Sequence, residues 1–269
     1  MKRVMILVYG VVSYVIFLLT FLYLIAFLGN VQQTPLGTQW LPWVADLVPY
    51  SVAAGRETGH IGLAVLINVA LILLFGLQHS IMARTGFKRW LKQAVPESAE
   101  RSTYVLVSSA CLILLYWQWR PLPAELWAAE STLGQAFGWG VFGLGFAIVL
   151  LSTFLINHFD LFGLRQVWGE FRNRPNPPLP FVTPLLYAVV RHPLYLGFLL
   201  AFWGGPGMTV GGLIFAAGMT AYILIAVRLE ERDLVRFHGD AYRDYQEQVP
   251  MLVPLPGHRY RPVSQEGAP

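Results

Sequence analysis

The sequence predicts an all-α fold: a polytopic integral membrane protein with about six transmembrane helices, a C-terminal helical hairpin among them, and a cytoplasmic amphipathic helix. The first observation is composition, because 55% of the 269 residues are hydrophobic and only 13% are charged, whereas soluble domains carry roughly 25% charged residues. The second is arrangement. The apolar residues are gathered into six segments, close to the ~20 residues that a helix needs to cross a bilayer.

The first segment, Val4–Leu28, contains no charged residue and follows Lys2 and Arg3. It is too long for a secretory signal and lacks a small-residue cleavage site, so it predicts a retained anchor. Three more segments precede the C-terminal region: Ile61–Leu77, Thr103–Trp119 and Phe137–Ile156.

The last two segments predict a helical hairpin. One runs from Pro184 to Trp203 and the other is Met208–Val227, with the glycine- and proline-rich turn 204–207 between them. Arg191, His192 and Pro193 interrupt the first arm, which predicts a broken helix near one membrane face. Beyond the second arm, an amphipathic helix is predicted, with a break at Gly239 and an end at 249–250.

Basic residues predict the orientation. The terminal segments and the loops 78–102 and 157–192 hold 17 of the 19 Lys and Arg residues, and such residues concentrate on the cytoplasmic side. Both termini and the active site are therefore predicted to be cytoplasmic, in a bacterial inner membrane. This loop charge also accounts for the basic character, so we expect a lipid bilayer and no nucleic acid as partner. The single cysteine, Cys111, predicts no disulfide and no metal site.

Two polar groups lie at the predicted cytoplasmic end of the hairpin. Arg191 and His192 stand directly before a helix that begins with proline, and such a helix N-terminus binds anions. Glu230 and Glu231 stand where the last span leaves the membrane, and carboxylates beside hydrocarbon are costly unless they are paired or functional. They could pair with Arg191 across the hairpin, or hold a ribose or ammonium group of a ligand.

Together these groups form a longer pattern: RHPLYLG over 191–197, the hairpin, Glu230-Glu231, and then glycine, tyrosines and Val-Pro over 239–250. This pattern resembles the isoprenylcysteine carboxyl methyltransferase and phospholipid methyltransferase superfamily. His238 stands where the family often has an aromatic residue. The resemblance implies that S-adenosyl-L-methionine binds here, in contact with both sides of the hairpin. The implied cofactor-binding residues are Arg191, His192, Tyr195, Gly197, Glu230 and Glu231.

Three further stretches, 78–84, 100–104 and 157–166, resemble the methanethiol S-methyltransferase branch of this superfamily. That resemblance implies methyl transfer to a small thiol, giving dimethyl sulfide. A thiol reacts as its thiolate, so a base is expected at a cytoplasmic helix end. The candidates are His79, His158 and Asp160, and Asp160 is considered as an orienting partner of His158 even though residues two apart do not share a helix face.

We accordingly divide the chain into a membrane region of four spans with acceptor-side loops (1–180), a cofactor-binding methyltransferase core (181–256) and a flexible tail (257–269). Alternatives remain open at this stage. The acceptor could be a prenylcysteine carboxylate or an amine lipid, and an NADPH-dependent membrane reductase or a non-enzymatic accessory protein are rival classes. The sequence leaves the oligomeric state and the identity of the base open.

Overall fold

The structure is a computed structural model that describes residues 1–34, 36–40, 42–177 and 179–260, so most of the predicted tail lies outside the described residues. Within that part of the chain, the α-helices are α1 Lys2–Leu28, α2 Pro42–Leu47, α3 Ile61–Ala83, α4 Thr85–Ala94, α5 Glu100–Gln118, α6 Thr132–Ile156, α7 His158–Leu161, α8 Leu164–Phe171, α9 Pro193–Trp203, α10 Val210–His238 and α11 Asp240–Gln248.

Shorter elements connect these helices. They are the 3-10 turns Val31–Gln33, Glu97–Ala99 and Leu185–Ala188 and the π-helical segment Leu36–Trp40. Strands β1 (Glu125–Ala128) and β2 (Gly207–Thr209) pair antiparallel. The sequence predicts a turn at 204–207 and no strand. The strand pair forms because the backbone after this turn hydrogen-bonds to the loop between α5 and α6. The all-α class is confirmed.

The predicted membrane character is confirmed by the long helices. Among the described residues, α1, α3, α6 and α10 are long and apolar enough to cross a membrane. At 1.5 Å per residue, the 27 residues of α1 span about 40 Å. Helix α5, with 19 residues, covers the third predicted span, and the short apolar helix α9 covers part of the fifth.

Helix α9 is short because the chain breaks where the sequence predicts it. Only one 3-10 turn, Leu185–Ala188, precedes Arg191, and the helix then begins at Pro193. Proline suits the first helical position because it has no N–H to leave unbonded there. At 11 residues, α9 covers roughly half of a bilayer's hydrocarbon core. The non-helical stretch before it therefore places the backbone of Arg191 and His192 beside the polar end of the bundle.

Helices α6 and α9 pack with unusually close backbones. A Cβ added at Gly145 would lie 2.5 Å from the backbone nitrogen of Ala201, and one added at Gly197 would lie 2.7 Å from the carbonyl oxygen of Gly145. Small residues allow such approach between membrane helices and improve their packing. The two glycines therefore set the position of α9 against α6.

Helix α10 lies against α3 on its other side. A Cβ at Gly76 would lie 2.8 Å from Cδ2 of Tyr222, so the glycine makes room for this ring. Arg84, which follows α3, forms an ion pair with Asp233 of α10 at 2.8 Å. After His238 the chain turns at Gly239, whose φ is +58°, and α11 folds back along the end of the bundle.

Replacing Gly145 with alanine should destabilise the protein, because the new methyl group meets backbone atoms of α9 that have no room to move. Overpacking of this kind costs about 1–3 kcal/mol. Gly143→Ala is the matched control, since nothing lies within 4 Å of a Cβ at Gly143, and alanine is the better helix former by about 0.5–1 kcal/mol. The thermal midpoint in detergent should fall for Gly145→Ala alone, and equal midpoints for both variants would contradict the packing described here.

Candidate functional site

Glu231 is held in a nearly buried ion pair at the end of the hairpin. Its Oε1 lies 2.6 Å from Nε of Arg191 and 3.1 Å from Nε2 of His192. The side chains of Arg191 and Glu231 are only 10% and 13% exposed. A charge at this depth is costly without its partner, so the pair holds the start of α9 against α10. Of the two possibilities left open for the carboxylates, the structure shows the pairing with Arg191 for Glu231.

The same network includes α11 and the residues that follow it. Gln246 donates from Nε2 to Oε2 of Glu231 at 3.0 Å, and the Arg191 guanidinium donates to the carbonyl oxygens of Gln246 and Val249. The backbone nitrogen of Arg191 donates to Pro250. The backbone N–H of Arg191, which has no helical partner before α9, is thus satisfied by the C-terminal segment. These hydrogen bonds join the start of α9, α10 and α11.

Glu230 points elsewhere, because successive residues of a helix are rotated by about 100°. Its Oε2 accepts a hydrogen bond from the Tyr195 hydroxyl at 2.9 Å. Glu230 also interacts electrostatically with Tyr104 and Tyr222. Among the described residues no cation pairs with Glu230. A carboxylate lined by tyrosines and lacking a positive partner fits a ligand that brings a cation or hydroxyl groups.

His79 lies beside the same tyrosines. Its ring stands 4.9 Å from that of Tyr104 and 6.2 Å from that of Tyr222, measured between centroids, and it stacks on Phe75. Its Nδ1 lies 3.1 Å from Oγ of Ser108. The other ring nitrogen, Nε2, has no hydrogen-bond partner in the part of the chain that the structure describes. His79 and Glu230 therefore border one cluster of aromatic rings.

His158 is buried in a different place, between α1, α6 and α7. Its Nδ1 lies 2.9 Å from Oγ1 of Thr153, and its Nε2 lies 2.8 Å from the Tyr14 hydroxyl. Thr153 already donates its one proton to the Leu150 carbonyl at 2.7 Å, so the Nδ1 proton is donated to Thr153 and Nε2 accepts from Tyr14. Burial lowers the pKa of His158, which agrees with a neutral ring.

Asp160 does not contact His158. Its carboxylate pairs with Arg165 at 2.7 Å and accepts from Gln166 at 3.1 Å. The hypothesis that Asp160 orients the His158 imidazole is wrong, because both ring nitrogens of His158 already bond hydroxyl groups and the carboxylate faces α8. The network of Asp160 stabilises the turn between α7 and α8.

The structure thus brings five of the six residues implied for cofactor binding together at one end of the hairpin: Arg191, His192, Tyr195, Glu230 and Glu231. Gly197 faces α6, and the close approach that it permits is that of the Gly145 backbone. The cluster also contains Tyr222 and Ser108, which the sequence analysis did not select. Tyr222 could have been found as a polar aromatic residue two helical turns before Glu230, whereas nothing in the sequence indicates Ser108.

These features define a helical integral membrane protein whose polar cluster is closed by its broken C-terminal hairpin. The family model described as NnrU protein matches residues 67–252. The chain is 49% identical to a methanethiol S-methyltransferase of Mycobacterium tuberculosis, over 97% of this chain and 100% of that protein. It is 46% identical to one of Crocosphaera subtropica, over 96% of this chain and 95% of that protein.

More distant is Nurim of Danio rerio, 30% identical over 71% of this chain and 72% of that protein. No solved structure matches the chain. The chain belongs to the NnrU family, and its resemblance to the methanethiol S-methyltransferase branch is confirmed.

The stability of the protein should depend on pH because His158 is neutral in the folded state. Because burial lowers its pKa in the folded protein, protons bind the unfolded chain first as the pH falls below about 6.5. Stability from the neutral ring is therefore present above that pH and declines below it. His158→Gln should be less stable than the parent protein at neutral pH, and the difference in thermal midpoint should narrow at about pH 5. His258→Gln, at an exposed site, is the control, and a difference that stays constant with pH would contradict the neutral assignment.

Proposed function

We propose that this protein transfers a methyl group from S-adenosyl-L-methionine to methanethiol and releases dimethyl sulfide. Relatives named methanethiol S-methyltransferase, between 45% and 50% identical over most of the chain, support the reaction. The structural observation that carries the proposal is Glu230. In the part of the chain that the structure describes, this carboxylate has no cationic partner, and it lies near tyrosines at the polar end of an apolar bundle.

The residues around Glu230 fit the proposed cofactor. Glu230 and Tyr195 would hold its polar groups, since a carboxylate suits the ammonium or ribose hydroxyls and the tyrosine hydroxyl already orients the carboxylate. Aromatic faces such as those of Tyr104 and Tyr222 favour a nearby cation. Glu231, Arg191 and His192 would then keep the wall of the site in place. When bound, the cofactor supplies a methyl group activated by a sulfonium centre.

His79 is the base that we propose for the thiol. In the tautomer whose Nδ1–H donates to Ser108, the Nε2 lone pair is free to take the thiol proton, which leaves a thiolate as nucleophile. His79 would hold that proton while the bound cofactor supplies its methyl group to the thiolate sulfur. This reaction neutralises opposite charges, so apolar surroundings such as Phe75 favour it over water. A small, uncharged thiol can reach such a site through the lipid.

The proposed orientation places this site and both chain termini on the cytoplasmic side of a bacterial inner membrane. The distribution of Lys and Arg supports it. The ion pairs Arg84–Asp233 and Arg191–Glu231 support it as well, since both lie at the end of α10 at which the chain becomes polar. A soluble cofactor would enter from this side.

Glu230→Gln should weaken S-adenosyl-L-methionine binding while leaving the protein stable, because the amide keeps the Tyr195 contact and loses the charge. Loss of one charge-assisted hydrogen bond costs about 1.5–3 kcal/mol, or about tenfold to a hundredfold in the dissociation constant. Glu231→Gln is the comparison, since it leaves the largely buried Arg191 unpaired and should lower stability by about 3–5 kcal/mol.

Calorimetry and thermal unfolding in detergent measure both effects. Unchanged cofactor affinity in a folded Glu230→Gln protein would contradict the site. Binding of NADPH and not of S-adenosyl-L-methionine would favour the reductase class.

His79→Ala should lower dimethyl sulfide formation by about 10²–10⁴-fold, the usual contribution of a general base. Cofactor binding should remain, and raising the pH should restore part of the rate because hydroxide then forms the thiolate. The matched control is His258→Ala, which removes an exposed histidine far along the chain. Gas chromatography of dimethyl sulfide across pH measures the rate.

A near-parental rate for His79→Ala would remove this residue from the mechanism. A parent protein that binds the cofactor but forms no dimethyl sulfide would indicate another acceptor, such as a prenylcysteine carboxylate or an amine lipid.

A further inference from the structure

Three arginines follow one another along a single face of α10. Arg228, Arg232 and Arg236 are spaced four residues apart, which brings side chains onto the same side of a helix, and all three are exposed. They border a cavity of about 420 Å³. Its other lining residues are Glu231, Val235 and Gln246. We call this feature the arginine groove.

The groove carries an excess of positive charge. In the described part of the chain, neither Arg228 nor Arg232 has an anionic partner. Arg236 reaches Asp233 only at 3.4 Å with a side chain that is 77% exposed, and Asp233 is already paired with Arg84. Glu231 is neutralised by Arg191. At least two guanidinium groups are therefore free to bind an anion.

The three arginines point away from Glu230, although the groove also borders Glu231, whose ion pair with Arg191 forms a wall of the site proposed for the cofactor. On a helix that turns about 100° per residue, Glu230 lies about 200° from Arg232. Glu230 therefore faces α9 and the tyrosines, whereas the arginines face outward. Glu230 and the three arginines thus lie on different sides of α10.

The position of the groove along α10 matches the depth of lipid headgroups. From Val210 to Val227 the helix has no charged residue, and Arg228 is the first. Arg232 and Arg236 follow about 6 and 12 Å further along the axis. One turn before Arg228, on the same face, Leu224 and Ile225 are 38% and 58% exposed. This face thus offers an apolar surface for acyl chains directly followed by a cationic surface.

We propose that the arginine groove binds the phosphate of an anionic phospholipid, whose acyl chains lie along Leu224 and Ile225. Guanidinium groups suit phosphate because their planar N–H pairs bond its oxygens in a bidentate manner. Basic pockets beside membrane helices bind acidic headgroups by the same chemistry. A soluble anion would use the arginines but would gain nothing from the exposed apolar turn, and this difference favours the lipid.

The test compares the full-length protein in detergent with Arg228→Gln/Arg232→Gln. The control is Arg89→Gln/Arg243→Gln, which removes the same charge from exposed positions elsewhere. Native mass spectrometry with titrated phosphatidylglycerol and phosphatidylcholine measures binding. At about fivefold per arginine near an anionic headgroup, phosphatidylglycerol should bind about thirtyfold more weakly to the groove variant, which lacks two arginines, and normally to the control. Phosphatidylcholine should bind weakly to all three.

Equal phosphatidylglycerol binding by the parent and groove variants would overturn the proposal, as would equal affinity for the two lipids. Inorganic phosphate that binds alone and displaces the lipid at millimolar concentration would show a soluble-anion site and overturn the assignment to lipid. A groove variant that fails to fold is replaced by a salt titration of the parent protein. Its phosphatidylglycerol binding should weaken as sodium chloride rises, and insensitivity to salt would contradict an arginine–phosphate contact.

Discussion

The ion pair between Arg191 and Glu231 constrains everything at the polar end of this bundle. Both side chains are about nine-tenths buried, and neither charge is tolerable there alone. Because Arg191 precedes α9 and Glu231 lies on α10, the hairpin must close with both helix ends in register. The guanidinium also donates hydrogen bonds to the carbonyl oxygens of Gln246 in α11 and of Val249 directly after it. The C-terminal segment therefore has to fold back. One ionic contact thereby orders three parts of the chain.

That constraint gives the two neighbouring carboxylates different roles. With Glu231 fixed toward Arg191, helical geometry turns Glu230 toward Tyr195. Asp233 is turned in its own direction and meets Arg84, while the arginine groove occupies the outward face. A single helix therefore carries a structural ion pair, a carboxylate available for a ligand, an anchor to α3 and a cationic surface. Each lies at a different angle around the same axis.

The sequence was informative where a feature is local along the chain. Hydropathy located α1, α3, α5, α6, α10 and the apolar part of α9, and Pro193 with the charges before it located the break that precedes α9. The pairing of Arg191 with a glutamate was one of two possibilities that the sequence left open, since a hairpin brings its two ends together. The neighbours of His79 could not be predicted from the sequence. Ser108 and Tyr222 come from different helices, and the rotation of each helix about its axis depends on packing at Gly76 and similar positions. The β1–β2 pair likewise depends on two distant loops meeting.

Packing also distinguishes His79 from His158 as candidate bases, which the sequence could not do. Both lie at polar helix ends in apolar surroundings, yet both nitrogens of His158 bond hydroxyls of Thr153 and Tyr14. Recruiting His158 as a base would therefore break the contact that joins α1 to α7, and the freed tyrosine hydroxyl would be left without a partner. His79 has one nitrogen fixed by Ser108 and the other without a partner among the described residues. In the tautomer that donates Nδ1–H to Ser108, the ring is fixed by one hydrogen bond and the Nε2 lone pair is left to accept a proton, which is the combination that a base needs.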